Sequence, residues 1–221
     1  MIAENLALIR DSLCRDDVVL IAVTKTQPVA VIREAYAAGL SVVGENRVQE
    51  AFEKAAQLQD LPLDWHLIGH LQTNKVKQAV ALFSLIHSVD SERLAREIDR
   101  CAKAAGKIQD VLIQVNVVGE ESKSGIEPAR AAELARLVDS LPNLRLCGMM
   151  TIAPLFEDAE QTRPVFREMR SIFDRLGEQV ADPEAFRWLS MGMTHDYRVA
   201  VEEGANMIRI GTGLFGARTA R

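Results

Sequence analysis

Hydrophobic positions along the chain alternate between two textures. Short, unbroken apolar runs occupy 18–24, 40–43, 65–69, 84–89, 111–117, 144–150, 186–190 and 206–210. Between them lie longer segments with apolar residues at helical spacing, and the chain opens on one, with Ile2, Leu6, Ile9 and Leu13 on a single helical face. Runs of Val, Ile and Leu without polar alternation mark strands covered on both faces, as in parallel sheets wrapped by helices. The helical segments carry their own punctuation. Pro28 suits the first turn of a helix ending near Ala38 before Gly39, and Ser91 suits the cap of one running to Ala105 before Gly106. Pro128 repeats the first device, and Thr194 precedes a short segment from His195 to Glu203 that stops at Gly204. Eight strands, each but the last followed by a helix, predict an α/β fold: a (β/α)8 TIM barrel near its minimum size, with an extra N-terminal helix. The alternative is a doubly wound open sheet. It would carry a Gly-x-Gly-x-x-Gly turn after its first strand, where this chain reads Thr24-Lys25-Thr26-Gln27-Pro28. No linker, repeat or low-complexity stretch interrupts the pattern, so one domain over residues 1–221 is expected.

Composition narrows the class. With 221 residues and 48% hydrophobic content, the chain has enough apolar surface for one core. The net charge of -5 comes from 26 basic and 31 acidic side chains of scattered sign, without the basic stripe that nucleic acid requires. No run approaches the ~20 apolar residues of a membrane span. The start, Met1-Ile2-Ala3-Glu4-Asn5, lacks the charged opening of a signal peptide, so a cytoplasmic protein is expected. Cys14, Cys101 and Cys147 are widely spaced and follow no metal-ligand pattern; they read as reduced packing residues.

Lys25 stands at the carboxyl end of the first apolar run. A partly desolvated amine there has an accessible neutral form that can attack a carbonyl and form a Schiff base. The plainer reading is a lysine that returns the chain to water. The barrel reading weighs against it, because the carboxyl ends of all strands converge on the face where this architecture places its sites. Gly211, Gly213 and Gly216 follow the last run, and the turn after the seventh contains Ser190-Met191-Gly192-Met193 ahead of the helix expected near His195. Glycines let backbone N–H groups approach a ligand closely, a helix start favours anions, and the loops after strands seven and eight commonly hold phosphate in barrels. A nucleophilic lysine beside a phosphate cradle fits a phosphorylated aldehyde, of which pyridoxal phosphate is the familiar example. A cofactor-free Schiff-base aldolase acting on a sugar phosphate stays open.

Other polar residues receive plainer readings. His66 and His70 flank the third strand and read as hydrogen-bonded structure, His70 being the better site candidate. His87 reads as core, His195 as exposed, Met149 and Met150 as core filler, and Lys75 and Lys77 as solvated charge. The polar 116–125 segment at the mouth suits a cover for a ligand or a docking loop.

The blocks Val23-Thr24-Lys25, Gly44-Glu45-Asn46-Arg47-Val48-Gln49-Glu50, Trp65-His66-Leu67-Ile68-Gly69-His70-Leu71-Gln72-Thr73-Asn74-Lys75, Ser84-Leu85-Ile86-His87-Ser88-Val89-Asp90 and Arg209-Ile210-Gly211-Thr212 resemble those of the pyridoxal phosphate homeostasis proteins. The resemblance runs from about Val18 to Gly216. It implies a single barrel of the alanine racemase type, pyridoxal phosphate fold type III, in which Lys25 holds pyridoxal 5'-phosphate as an internal aldimine. It further implies that Ser190, Met191 and Gly192 meet the phosphate together with Gly211 and Thr212, that Asn46 sits near the ring, and that Arg209 faces the pyridine nitrogen. A guanidinium there disfavours the protonated pyridinium and weakens carbanion chemistry. A racemase also needs an acid/base group on the other ring face, a tyrosine in the two-domain racemases. Here Tyr36 and Tyr197 lie within predicted helices, and the chain ends soon after strand eight. The expectation is therefore a cytoplasmic, monomeric, non-catalytic carrier or buffer of the cofactor in vitamin B6 homeostasis, with effects on amino acid metabolism. Its partners would be pyridoxal phosphate and the apo-enzymes or regulatory proteins that need it, with no metal, nucleic acid or membrane. The alternative is an amino acid racemase with an unrecognised second base.

Overall fold

A computed structural model describes residues 1–13, 15–120 and 124–216. Helix α1 (Ile2–Asp11) leads, burying Ile2, Leu6 and Ile9 at helical spacing. The chain then alternates: β1 (Val19–Val23), α2 (Val29–Ala37), β2 (Val42–Glu45), α3 (Val48–Ala55), β3 (Asp64–Leu67), α4 (Val76–Leu82), β4 (Leu85–Val89) and α5 (Glu92–Ala104). It continues with β5 (Gln109–Val115), α6 (Ala131–Ser140), β6 (Leu144–Thr151), α7 (Arg163–Gly177), β7 (Trp188–Met193), α8 (Tyr197–Glu202), β8 (Met207–Ile210) and α9 (Thr212–Phe215). The eight strands close into a barrel in sequence order, and β8 pairs parallel with β1 from Val19 opposite Met207 to Ala22 opposite Ile210.

Two apolar layers hold this arrangement. The outer one lies between sheet and helices and includes Ile32, Ile86, Ile98, Val138 and Phe166, all fully buried. Helix α5 shows how the sequence builds it: Leu94, Ala95, Ile98, Cys101 and Ala102 form one buried stripe on an otherwise charged segment. The inner layer fills the barrel with Ile21, Leu85, Leu112, Cys147, Met150 and Met207. Cys101 and Cys147 are free, buried thiols; Cys14 lies outside the described residues.

Three expectations need correction. Strand β7 does not stop at Ser190: it runs to Met193, because Gly192 adopts φ 92° and the register with β8 slips between Ser190 and Met193. The glycine that reads as a turn is a bulge within the strand. Strand β8 is followed by a helix after all, the single turn α9. Ser91 occupies the cap position of α5, yet its side chain makes no capping hydrogen bond.

Candidate functional site

The carboxyl-terminal parts of four neighbouring strands, β7, β8, β1 and β2, bring the expected residues to one half of the barrel. Lys25 follows β1 by two residues, Asn46 follows β2 directly, and Gly211 and Thr212 follow β8. Ser190, Met191 and Gly192 lie inside β7, and Arg209 inside β8. Lys25 and Asn46 are half-buried, whereas Thr212 is exposed. A Cβ placed on Gly211 would sit 3.6 Å from the Val23 Cβ, so the end of β8 lies directly against the strand that carries Lys25.

The turn holding Lys25 is strained and braced. Thr26 has φ 63°, the one positive φ at a non-glycine among the described residues. A β-branched residue in this region is disfavoured by about 1–3 kcal/mol. The brace is ionic: the Lys54 ammonium donates to the Thr24 carbonyl at 2.7 Å, to Glu45 Oε1 at 2.7 Å and to Glu50 Oε1 at 2.6 Å. All three of its protons are thus engaged. Glu50 Oε1 also accepts the Thr26 N–H at 2.6 Å, and Glu45 Oε1 accepts the Thr24 hydroxyl at 2.6 Å. Both peptide groups flanking Lys25 are therefore tied to one buried cluster. Burial pushes the Glu45 carboxyl up despite the opposing Lys54 and Thr24 bonds. At Glu50 burial acts the same way, but the bonds from Lys54 and Thr26 outweigh it and hold the carboxyl below its ordinary value.

Arg209 is 3% exposed and points its guanidinium into the barrel. Nη1 donates to Ser190 Oγ at 2.6 Å and Nη2 to the Thr151 carbonyl at 2.8 Å. Burial lowers its pKa to about 10, with the Asp196 carboxylate acting against that shift, so the group stays cationic at neutral pH. Ser190 is fully buried, and its hydroxyl also meets His87 Nδ1 at 3.1 Å. His87 Nε2 meets His66 Nδ1 at 3.1 Å, and His66 Nε2 meets Asp64 at 3.2 Å. The two histidines that read as structure and core in the sequence are thus joined to Arg209 through Ser190.

The loops after β7 and β8 close on each other through glycine. Thr194 Oγ1 accepts the Gly213 N–H at 3.1 Å, and a Cβ on Gly213 would fall 2.9 Å from Thr194 Cγ2. A Cβ on Gly192 would fall 2.7 Å from the Ala200 Cβ and 2.9 Å from the Tyr197 Cα, so that glycine admits α8 against the strand. Met191 belongs to the outer core layer. Thr194 is the residue that the sequence undervalued; a hydroxyl placed between a glycine bulge and a helix start was the available signal. Helix α8 itself begins at Tyr197, two residues past His195, and Asp196 accepts the Met193 N–H at 2.6 Å.

The residues present fit a phosphorylated aldehyde: a half-buried lysine two residues past β1, and a glycine-lined junction with a threonine hydroxyl beyond the end of the adjacent β8. On the other side, Asn46 is backed closely by Gly69, whose added Cβ would lie 2.7 Å from the Asn46 Cα. His70 is exposed, 3.3 Å from the Ser124 hydroxyl and 3.8 Å from Asp90. The 116–125 loop is anchored at its ends, by Gln114 Nε2 on the Ser124 carbonyl and by Asn116 Nδ2 on the Glu120 carbonyl; residues 121–123 lie outside the described residues. His195 is exposed, Lys75 half-buried and Lys77 exposed, while Met149 and Met150 are fully buried. Among the described residues, no group of His, Cys, Asp and Glu could hold a metal ion, and no helix is long and apolar enough to cross a membrane.

Residues 1–219 match the alanine racemase N-terminal domain family. The chain is 51% identical to the pyridoxal phosphate homeostasis protein of Aquifex aeolicus over 201 residues, covering 90% of this chain and 86% of that protein. It is 46% identical to the protein of the same name from Pseudomonas aeruginosa, covering 90% and 84%. The chain belongs to the pyridoxal phosphate homeostasis protein family. Within that family's fold, PipY of Synechococcus elongatus, solved with PLP bound, superposes with a TM-score of 0.91 at 45% identity, covering 98% of this chain and all of that one. The alanine racemase of Clostridium difficile, at 17% identity and a TM-score of 0.82, shares the barrel fold and spans well beyond it, since the chain covers 60% of its length.

Proposed function

We propose that this protein binds pyridoxal 5'-phosphate reversibly in the cytoplasm, through Lys25, and takes part in keeping the cofactor available to the proteins that need it. The observation that carries the proposal is the pairing of the braced Lys25 turn on β1 with the glycine and threonine junction on β8, in a family whose member PipY was solved with PLP bound. The Lys25 amine captures the aldehyde carbon with loss of water, and the strained, ionically held turn keeps that amine at the strand end. The backbone of Gly211 and Thr212, the Thr194 hydroxyl and the β7 segment from Ser190 to Gly192 form the side of the site that receives the phosphate. Asn46 flanks the ring, and Arg209 faces its nitrogen.

When bound, the cofactor supplies an electron sink, and Arg209 restrains it. A buried guanidinium held by Ser190 and Thr151 keeps a positive charge where a protonated ring nitrogen would be needed. That arrangement favours a carrier over a catalyst, and we take the carrier to act as a monomer. The test is the visible spectrum of the purified chain with added cofactor, before and after borohydride reduction. An absorbance band that vanishes in Lys25→Ala, with the reduced adduct mapped to Lys25, is expected; a colourless wild type sinks the proposal. Rapid solvent-deuterium exchange at the α-carbon of added amino acids would overturn its non-catalytic part.

A further inference from the structure

Arg209, Ser190, His87, His66 and Asp64 form one continuous line of hydrogen bonds through the barrel interior. Its two ends fix its direction. Arg209 can only donate, and an ionised carboxylate can only accept. The His66 bond, with burial opposing it, holds Asp64 below the ordinary carboxylate range. With a single proton on the His66 ring, that proton lies on Nε2, toward Asp64, and Nδ1 accepts. His87 must then donate from Nε2 and accept at Nδ1, which obliges the Ser190 hydroxyl to donate to His87 while accepting from Arg209. Desolvation, reinforced by the Arg209 cation, holds the His87 pKa well below its ordinary value, in keeping with a neutral ring.

The line ends at the face of the barrel opposite Lys25. Asp64 is the first residue of β3, and it lines a cavity of about 240 Å³ with His66, Ser84, Asp110, Arg187 and Trp188, at the amino ends of the strands. We propose that Ser190, His87, His66 and Asp64 are positioning residues for Arg209, and that they place its guanidinium under the control of protonation at this foot of the barrel. The functional consequence rests on the reading that Arg209 faces the cofactor ring; the relay itself does not.

The coupling follows from valence. A proton added to His66 must occupy Nδ1, where the His87 proton now sits. His87 would have to turn its own proton to Nδ1, toward Ser190, and Ser190 would then accept from both His87 and Arg209 while its hydroxyl proton lost its acceptor. No proton leaves Arg209 in this change; what alters is the acceptor that orients it. The other charged groups around the foot are already engaged. Asp110 pairs with Arg145 at 2.6 Å, Arg187 lies over the Trp188 ring at 4.8 Å, and Lys107 donates to the carbonyls of Val80 and Phe83. Asp64 also accepts the Ser84 hydroxyl, and at the far end Asp196 is the acidic neighbour of Arg209.

Nitrogen-15 histidine NMR on the full chain, first without cofactor, tests this directly. Expected are unprotonated Nδ1 signals for both His66 and His87 at neutral pH, and a change in the His87 tautomer balance in Ser190→Ala and in Asp64→Asn. A proton on Nδ1 of either ring in the wild type, or a His87 signal indifferent to Asp64→Asn, overturns the relay. With pyridoxal 5'-phosphate added, Asp64→Asn should move the pH midpoint of the absorbance by roughly half a unit without abolishing the band; an unmoved midpoint overturns control from the foot. A wild type with no band at all defeats the cofactor reading instead, and the histidine signals still decide the relay.

Discussion

Two buried polar networks lie under the same site and are built on opposite principles. Beneath Lys25 the network is ionic: an ammonium shared by two carboxylates and a carbonyl, tying a strained turn to helix α3. Beneath Arg209 it is a chain of uncharged links, hydroxyl and imidazole, between one cation and one distant carboxylate. The ionic cluster resists displacement because every donor of Lys54 is used, and it carries no direction. The neutral chain has direction, because each member both gives and takes a proton, and it is correspondingly easy to reverse. Charge is used where a backbone must be held still, and amphoteric groups where a state must be transmitted.

The sharpest way to break this contrast is Lys54→Met. It leaves the fully buried Glu45 carboxylate without its cation and should destabilise the fold by about 3–5 kcal/mol in urea unfolding. Adding Glu45→Gln should restore a good part of that loss; if the double variant is no better than the single one, the cluster is not ionic in effect. Next in size is the pH dependence of the neutral chain. His87 stays neutral in the folded protein with a pKa well below 6.5, so the unfolded chain binds more protons as pH falls below 6.5. Stability should then drop by up to about 1.4 kcal/mol per pH unit from this residue, fully present above 6.5 and lost on acidification. The slope between pH 6.5 and 5 should be shallower in His87→Gln, and equal slopes would mean that the ring titrates freely.

Gly213→Ala should cost less stability than either, since Thr194 can shift by a fraction of an ångström, but it should weaken cofactor affinity measured by absorbance titration. Retained affinity would move the phosphate away from this junction. The smallest effect belongs to Thr26→Gly, expected to change stability by no more than about 1 kcal/mol in the stabilising direction, as released strain offsets added chain entropy. Marked destabilisation there would show that the threonine side chain, and not the turn, supports Lys25.

What was legible in the sequence follows the same division. Strand runs and their spacing gave the barrel, and Lys25 stood out because a lysine ending a buried strand is conspicuous in one dimension. The relay was not legible: His66 and His87 are 21 residues apart and Ser190 another 103 beyond, and only barrel closure turns all three inward. Ser190 was placed in a turn because Gly192 imitates one; a bulge and a turn use the same backbone freedom and differ only in whether the pairing resumes. Gly211 and Thr212 were placed after a strand correctly because they follow the last apolar run, and Asn46 came from the family resemblance, since the second run stops at Val43 while β2 continues through Gly44 and Glu45; Thr194 was passed over because its bond to Gly213 joins two loops.

The pairing of β8 with β1 has a kinetic side. Val23 and Gly211 come together only when strands at opposite ends of the sequence meet, a contact with a large loop-closure cost. Asn5, which donates to the Leu214 carbonyl at 2.9 Å, draws α1 and α9 into the same closing event. A ligand that spans β1 and β8 recognises the shut ring and not the open sheet, so its presence should slow opening of that seam and protect its amides from hydrogen exchange.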